Sequence, residues 1–278
     1  MIVLITALNE YEVATRSRTR RRDADAMVPP TAHRIFTTPW LHALQVRYPW
    51  AGGYAAAPIA FNAAAHFNLQ LVSSVAGPLF AGVKSTAALQ AHVTAAATAF
   101  TIHFLRRLLE VLFINDYTGT FVRDSRLELL YYTAWGLLAG AAVSPASLAR
   151  WGVPARPLRY LGLTLFAIGQ IGNAWCHYEL RRLRSAANQL GASHYTIPSR
   201  GPFGLISCPH YSFELLTWVG YVLHSGVDAP SMMLLAMSTI AMAPFARDRH
   251  MKYVKLFKEG QRANGDPSLR WKMVPFVW

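Results

Sequence analysis

Six long apolar stretches limit the folds that this chain can adopt. Each is close to the ~20 residues that a helix needs to cross a membrane. They are residues 59–83, 86–105, 127–149, 158–178, 203–224 and 230–246. Only 15% of all residues are charged, compared with about a quarter in a soluble domain. The sequence therefore predicts an all-α integral membrane protein.

The distribution of positive charge makes the number of spans six or seven. Six complete spans would place the basic loops 106–126 and 179–202 on opposite sides of the membrane. That arrangement conflicts with the excess of Lys and Arg found in cytoplasmic loops. A re-entrant segment, or a seventh span within the Ala-rich residues 54–105, would remove the conflict. We therefore predict a bundle of six to seven transmembrane helices.

The excess of basic residues indicates an anionic partner. The chain has 27 Lys and Arg against 14 Asp and Glu, a net charge of +13. Such a balance is typical of proteins that contact nucleic acid, an anionic membrane surface or an anionic ligand. Nucleic acid is the weakest of the three, because the basic residues lie between apolar stretches. We expect contacts with the bilayer and with an acyl-CoA or lipid, and none with nucleic acid.

The cysteine content argues against a disulfide framework and a zinc site, and the first 53 residues form a segment distinct from the apolar stretches. Cys176 and Cys208 are too few for a disulfide framework, and no zinc-ligand spacing occurs, so we predict no metal site. Residues 1–53 are a polar arm with an Arg-rich run at 16–22. The run suits either a mitochondrial-type targeting segment or a solvated or partner-bound arm. We predict a transmembrane domain with a basic tail over 54–278.

Polar stripes inside the predicted spans are the candidate functional features, since such residues usually face a bundle interior or a cavity. His103, Arg107 and Glu110 share one helix face, at positions i, i+4 and i+7. They form either a site or an ion pair that fixes packing. A second face carries five polar residues: Gln170, Asn173, His177, Arg181 and Arg184. This second stripe suits an anionic ligand. A third stripe, Asn62, His66 and Gln70, is better explained by hydrogen bonding within the core.

A further motif, S-C-P-H-Y-S-F-E, covers residues 207–214. The proline predicts a helix start, which places Tyr211 and Glu214 near free backbone N–H groups that favour anions. Tyr211 suits a proton donor or a group that polarises a carbonyl. The alternative is an interfacial tyrosine of the aromatic belt.

These motifs together carry a family resemblance over about residues 60–278. Five motifs, the last of which consists of two separate segments, occur in the order and spacing typical of trans-2-enoyl-CoA reductases, a branch of the steroid 5α-reductase superfamily. They are H-F-L-R-R-L-L-E-V-L-F at 103–113, Q-I-G-N-A-W-C-H-Y-E-L-R-R-L-R at 170–184, I-P-S-R-G-P-F at 197–203, the 207–214 motif, and R-H-M-K-Y-V-K-L-F at 249–257 with V-P-F-V-W at 274–278.

The resemblance implies a steroid 5α-reductase-like bundle of transmembrane helices that binds NADPH. Such an enzyme reduces trans-2-enoyl-CoA in fatty-acid elongation, in the endoplasmic reticulum membrane. It implies catalytic roles for Tyr211 and Glu110. It implies cofactor contacts from eight residues: Asn173, His177, Arg181, Arg184, His210, Arg249, His250 and Tyr253.

Several positions depart from the family pattern and support a second hypothesis. The usual Asn-Tyr reads His210-Tyr211, and the second aromatic position, usually Tyr, is Phe213. The usual His-Arg-Phe-Ser reads N-D-Y-T at 115–118, and the D-Y-P motif has become K-E-G-Q-R-A-N-G-D-P at 258–267. A catalytically degenerate relative would show such changes. It would serve as an accessory subunit of a large membrane complex, such as a mitochondrial respiratory assembly in the inner membrane, with partner subunits bound by its arm.

Overall fold

The described helices overlap the apolar stretches of the sequence, although the first helix begins at residue 51 rather than at 59. The computed structural model describes residues 51–65, 86–114, 125–143, 148, 152–189, 196–227, 229–260 and 263–275. In chain order the helices are α1 (51–65), α2 (Thr86–Leu109), α3 (Ser125–Ala142), α4 (Arg156–Gln189), α5 (Pro209–Ser225) and α6 (Ala229–Lys258). The described part contains no strand, only one isolated bridge between Ile206 and Trp271. The predicted all-α class is confirmed.

The number of membrane spans stays a prediction. Among the described helices, α6 alone is both long and apolar enough to cross a membrane by length and composition. The others fall short in length or in mean hydropathy, because α5 has only 17 residues and α4 carries a charged second half. The predicted boundary at residue 54 is likewise untested. Residues 1–50 lie outside the described part, and residues 51–53 are already helical.

An aromatic core joins α2 to α5. Phe100 is fully buried and stacks on Phe61 of α1 with ring centroids 4.4 Å apart. The same ring meets Trp218 and Tyr221 of α5 at 6.1 and 5.8 Å. Large aromatic side chains contribute much of the apolar area that a fold buries. This core therefore fixes α2 against α5 and determines which of their polar residues face each other.

Glycines bring α4 and α5 into close contact. A Cβ at Gly220 would lie 2.3 Å from the backbone N of Phe166 and 2.6 Å from the carbonyl O of Gly162. A Cβ at Gly162 would in turn lie 2.6 Å from the backbone N of His224. Close approach of helix backbones through small residues is typical of membrane bundles. These contacts set the separation of the two helices that carry the motifs of 170–184 and 207–214.

Substitution of Gly220 by alanine tests this packing. The added methyl group has only backbone atoms to displace, so we expect the free energy of unfolding to fall by about 2 kcal/mol or more, the scale of overpacking. Gly52→Ala is the matched control, because no atom of the described residues lies within 4 Å of a Cβ at that position. The control should be neutral or slightly stabilising, as alanine is the better helix former. Thermal unfolding in detergent measures both, and equal behaviour of the two variants would contradict the packing described.

The C-terminal tail folds back onto the start of α5. The backbone N–H groups of Ser207 and Cys208 donate to the carbonyl O atoms of Trp271 and Lys272, at 2.7 and 3.0 Å. Met273 is buried against Cys208 and Ala246, and Tyr211 packs at the edge of this cluster. The tail therefore forms one wall around the beginning of α5.

Candidate active site

A buried cluster of charges lies where α2, α4 and α5 meet. It consists of His103, Arg106, Arg107, Glu110 and Glu214. His103, Arg106 and Arg107 lie in the last two turns of α2, and Glu110 follows directly after the end of this helix. The α-helix changes at Glu110 to a π-helical segment, Glu110–Ile114, and such segments often occur at functional sites. Two arginines face two glutamates, so these four groups carry no net charge.

Glu110 lies at the centre of this cluster and is almost completely buried. One carboxylate oxygen accepts hydrogen bonds from Arg106 and the other accepts one from Arg107, whose N···O distance is 2.5 Å. Buried charges persist in proteins when they are paired and hydrogen-bonded. Glu110 therefore orients both guanidinium groups, and its predicted catalytic role stays a prediction.

His103 links Gln170 of α4 to Glu214 of α5. The side-chain amide N–H of Gln170 donates to His103 Nδ1 at 2.8 Å, because the Gln170 oxygen accepts from Arg106 Nε. The remaining ring nitrogen, Nε2, lies 3.2 Å from Glu214 Oε1. The amide therefore selects the tautomer that directs the imidazole proton to Glu214. Glu214 Oε2 also lies 3.5 Å from Arg106 Nη2, which closes a ring of polar contacts.

The inner part of the polar stripe of α4, Gln170, Asn173 and His177, faces this cluster. The Asn173 side chain accepts from Arg106 Nη1 and donates to the carbonyl O of His210, both at 2.7 Å. His177 Nε2 accepts from Arg107 Nη1 at 2.9 Å. The two inner positions of the stripe thus connect the charge cluster to the first turn of α5.

Tyr54 of α1 contacts the charge cluster through Arg107. Its hydroxyl accepts from Arg107 Nη2 at 3.3 Å, and the Arg107 guanidinium lies 5.4 Å from the centre of its ring. The Tyr132 hydroxyl of α3 donates to the same oxygen at 3.4 Å. Sequence reasoning missed Tyr54, because an isolated tyrosine at the end of a polar arm carries no spacing signal.

Tyr211 lies at the first turn of α5, beside the cluster but not bonded to it. Its ring centroid lies 4.1 Å from that of His210. No described residue forms a hydrogen bond with its hydroxyl group. His210 Nδ1 is also buried without a hydrogen-bond partner in the described part of the chain. Within the described part of the chain, the start of α5 thus carries two neighbouring aromatic side chains whose polar atoms form no hydrogen bond.

The outer predicted cofactor residues divide between α4 and α6. Arg181 lies on the exposed side of α4 and donates to the carbonyl O of Phe113 at 2.6 Å. Arg184 of α4 and Arg249 of α6 both lie within electrostatic reach of His210.

His250 and Tyr253 are buried on the inner face of α6, and the Nδ1 atom of His250 lies 2.8 Å from Ser207 Oγ. The structure thus brings six of the eight around the start of α5, namely Asn173, His177, Arg184, His210, Arg249 and His250.

Other predicted features fall outside this site or outside the described residues. His66, Gln70 and the altered 115–118 segment are not described. Asn62 donates to the carbonyl O of Pro58 and to Thr101 on α2, away from the charge cluster. Glu214 was placed by the sequence only at a helix start. Its partners His103 and Arg106 became evident only from the packing of α5 on α2.

Comparison with known proteins identifies the family of the chain. The sequence profile of the family described as 3-oxo-5-alpha-steroid 4-dehydrogenase matches residues 121–278, which is more than half of the sequence. The chain belongs to this family. The matched part contains α4, α5, α6 and the tail, and therefore Asn173, His177, His210 and Tyr211. The resemblance drawn from the five sequence motifs is confirmed.

The relatives within the family include enoyl-CoA reductases and steroid dehydrogenases. The very-long-chain enoyl-CoA reductase of Dictyostelium discoideum is 28% identical over 184 residues, which cover 66% of this chain and 57% of that protein. A probable very-long-chain enoyl-CoA reductase of Caenorhabditis elegans is 27% identical over 192 residues, covering 64% and 57%. The 3-oxo-5-alpha-steroid 4-dehydrogenase 1 of Mus musculus is 26% identical over 212 residues, covering 75% and 79%. The chain thus matches little more than half the length of the two enoyl-CoA reductases.

Proposed function

We propose that the protein is a membrane reductase that uses NADPH to reduce the carbon–carbon double bond of a trans-2-enoyl-CoA. The observation that carries this proposal is the hydroxyl of Tyr211, which forms no hydrogen bond with a described residue and lies beside a buried, charge-neutral cluster. The names and identities of the relatives support the reaction class. In this reaction hydride adds to the β-carbon and a proton adds to the α-carbon, so that the acyl chain becomes saturated and the thioester bond is kept.

The residues at the start of α5 fit NADPH, a nicotinamide adenine dinucleotide phosphate. Its phosphates need cations, and Arg184 and Arg249 reach the same histidine from two different helices. Its polar edges need hydrogen-bonding groups, and His210 Nδ1 is buried without a partner among the described residues. When bound, the cofactor supplies the hydride. Asn173 and His177 would then fix the inner wall of its site, since both are held by arginines of α2.

Tyr211 would act on the substrate carbonyl. Negative charge develops on the thioester oxygen as hydride arrives at the β-carbon, so a hydrogen-bond donor placed there lowers the barrier. A phenol is a suitable donor because its proton is retained at neutral pH. The charge cluster fixes the first turn of α5, because Arg106 holds Asn173 and the Asn173 amide donates to the His210 carbonyl.

A second candidate is an accessory subunit that keeps the fold without catalysis. The observation in its favour is the mutual pairing of Arg106 and Arg107 with Glu110 and Glu214, which a purely structural cluster would also show. In that case the arm would bind other subunits of a membrane assembly, with the mitochondrial inner membrane as the natural location. The reductase proposal instead places the protein in the endoplasmic reticulum membrane.

One purification separates the two candidates. The protein is extracted gently from its native membrane, its particle size is determined, and NADPH oxidation is followed after addition of a long-chain trans-2-enoyl-CoA. Oxidation by a small, nearly homogeneous particle supports the reductase. No oxidation, with the chain in a large complex, contradicts the reductase and favours the accessory subunit.

A further inference from the structure

A buried carboxylate on α4 lies outside the charge cluster and has no part in the proposed chemistry. Glu179 is 1% exposed, and it follows the inner stripe of α4 by less than one turn after His177. Both of its oxygens accept hydrogen bonds from Arg182, Oε2 from Nε at 2.9 Å and Oε1 from Nη2 at 2.7 Å. This is the parallel, two-bond geometry that makes Arg–carboxylate pairs strong and directional.

The same carboxylate reaches a segment far away in sequence. Glu179 Oε2 lies 3.6 Å from Nη1 of Arg200. Arg200 precedes the 3₁₀ turn Gly201–Gly204, within the segment 196–204 that leads from α4 to α5. Burial of a carboxylate is costly unless it is paired. The two arginine side chains that pair with it are about half exposed and two-thirds exposed, so they cover Glu179 from the solvent side.

The 196–204 segment packs tightly beside this ion pair. Gly201 has a φ angle of +56°, and a Cβ there would lie 2.7 Å from the ring of Trp175 on α4. Phe203 is fully buried, and its ring centroid lies 6.4 Å from those of Trp175 and His210. The segment thus lies between α4 and the histidine at which the proposed cofactor groups meet.

The tail holds the same segment from the other side. Arg270 is 5% exposed and donates from Nη1 to the carbonyl O of Pro198 at 2.7 Å. The 196–204 segment is therefore fixed by one arginine–carbonyl bond from the tail and one ion pair from α4. The first depends on a backbone carbonyl, whereas the second depends on the charge of Glu179.

We propose that Glu179 is a positioning residue, which holds the 196–204 segment against α4 through Arg200 and so shapes the cofactor site at His210. This role rests on the proposed function where it concerns NADPH. The ion pair between Glu179 and Arg200, called the clamp below, is present in the protein without ligand. Hydrogen bonds from Arg182, with the nearby charge of Arg200, hold the pKa of Glu179 below its usual value. The clamp is therefore complete at neutral pH and is lost as the pH falls through that lowered value.

The test uses Glu179→Gln in the full-length protein, with two readouts. The first is amide hydrogen exchange of the 196–204 segment without ligand, which we expect to become faster in the variant. The second is steady-state kinetics, in which we expect the KM for NADPH to rise about tenfold, equivalent to ~1.4 kcal/mol, with kcat changed less than twofold. Glu259→Gln is the matched control, because its ion pair with Lys255 is exposed and longer, at 3.8 Å.

Three further variants test whether the effect acts through Arg200 and the charge of Glu179. Arg200→Gln should reproduce both changes, and the double variant should add little to either, as expected for residues that act as a pair. Glu179→Asp keeps the negative charge, so its KM for NADPH should lie between that of the wild type and that of Glu179→Gln. Unchanged exchange in Glu179→Gln would overturn the clamp even if the wild-type protein reduces no substrate. Faster exchange with an unchanged KM would overturn its role at the cofactor site, and an inactive wild type would overturn the proposed function alone.

Discussion

Glu110→Gln is expected to lower both turnover and stability. The substitution leaves the Arg106 and Arg107 guanidinium groups buried without their shared counter-ion. Removal of one partner from a buried ion pair typically costs 3–5 kcal/mol. Glu214 compensates this loss only in part, because it lies 3.5 Å from Arg106 and forms no ion pair of that length with Arg107 among the described residues. We expect the free energy of unfolding to fall by about 3 kcal/mol and turnover to fall by at least ~100-fold. Thermal unfolding and NADPH oxidation measure the two effects.

The control for Glu110 is an exposed carboxylate of similar reach. Glu259 is 55% exposed at its side chain, so Glu259→Gln should leave both quantities within experimental error. Glu110→Asp keeps the charge but shortens the side chain, and should recover stability more than turnover. Unchanged turnover in a folded Glu110→Gln protein would show that Glu110 has no catalytic role.

Tyr211→Phe is expected to abolish most activity while the fold stays intact. The hydroxyl forms no hydrogen bond with a described residue, so its removal should leave the protein as stable as the wild type. Loss of a donor to the thioester oxygen should lower turnover by at least ~100-fold. The KM for NADPH should change little, since the ring remains packed against His210.

Tyr160→Phe and Tyr178→Phe are the matched controls for this effect. Both tyrosines lie on α4 and are 67% and 57% exposed. They should retain full turnover. If Tyr211→Phe also retained full turnover, the Tyr211 hydroxyl would have no chemical role, and the donor to the thioester oxygen would have to be another group.

Helical periodicity indicates which polar residues share one face of a helix, and this part of the cluster can be predicted from the sequence. Asn173 and His177 follow one face of α4, so their common orientation could be read before any packing was known. Glu110 and Arg107 were predicted in the same way from the face of α2. In each case the information lies within a single helix, where the spacing of residues determines which of them face the same way.

Contacts between helices could not be read from the sequence in this way. The pairing of His103 with Glu214 depends on the rotation of α5 against α2, which the Phe100 core fixes. The approach of Arg200 to Glu179 depends on how a short segment folds between α4 and α5. Gly220 and Gly162 reveal the close approach of these helices only once both backbones are placed. Spacing within one element carries no information on such rotations and separations.

The most direct test of the central claim follows the hydride itself. Purified protein is incubated with trans-2-enoyl-CoA and NADPH that is deuterated at its hydride-donating carbon, and the acyl product is analysed by mass spectrometry. We predict one deuterium per product molecule, located at the β-carbon, with a saturated acyl chain. The same reaction with Tyr211→Phe should yield this product at least ~100-fold more slowly. Unlabelled substrate recovered unchanged from a folded, NADPH-containing sample would contradict the proposed function.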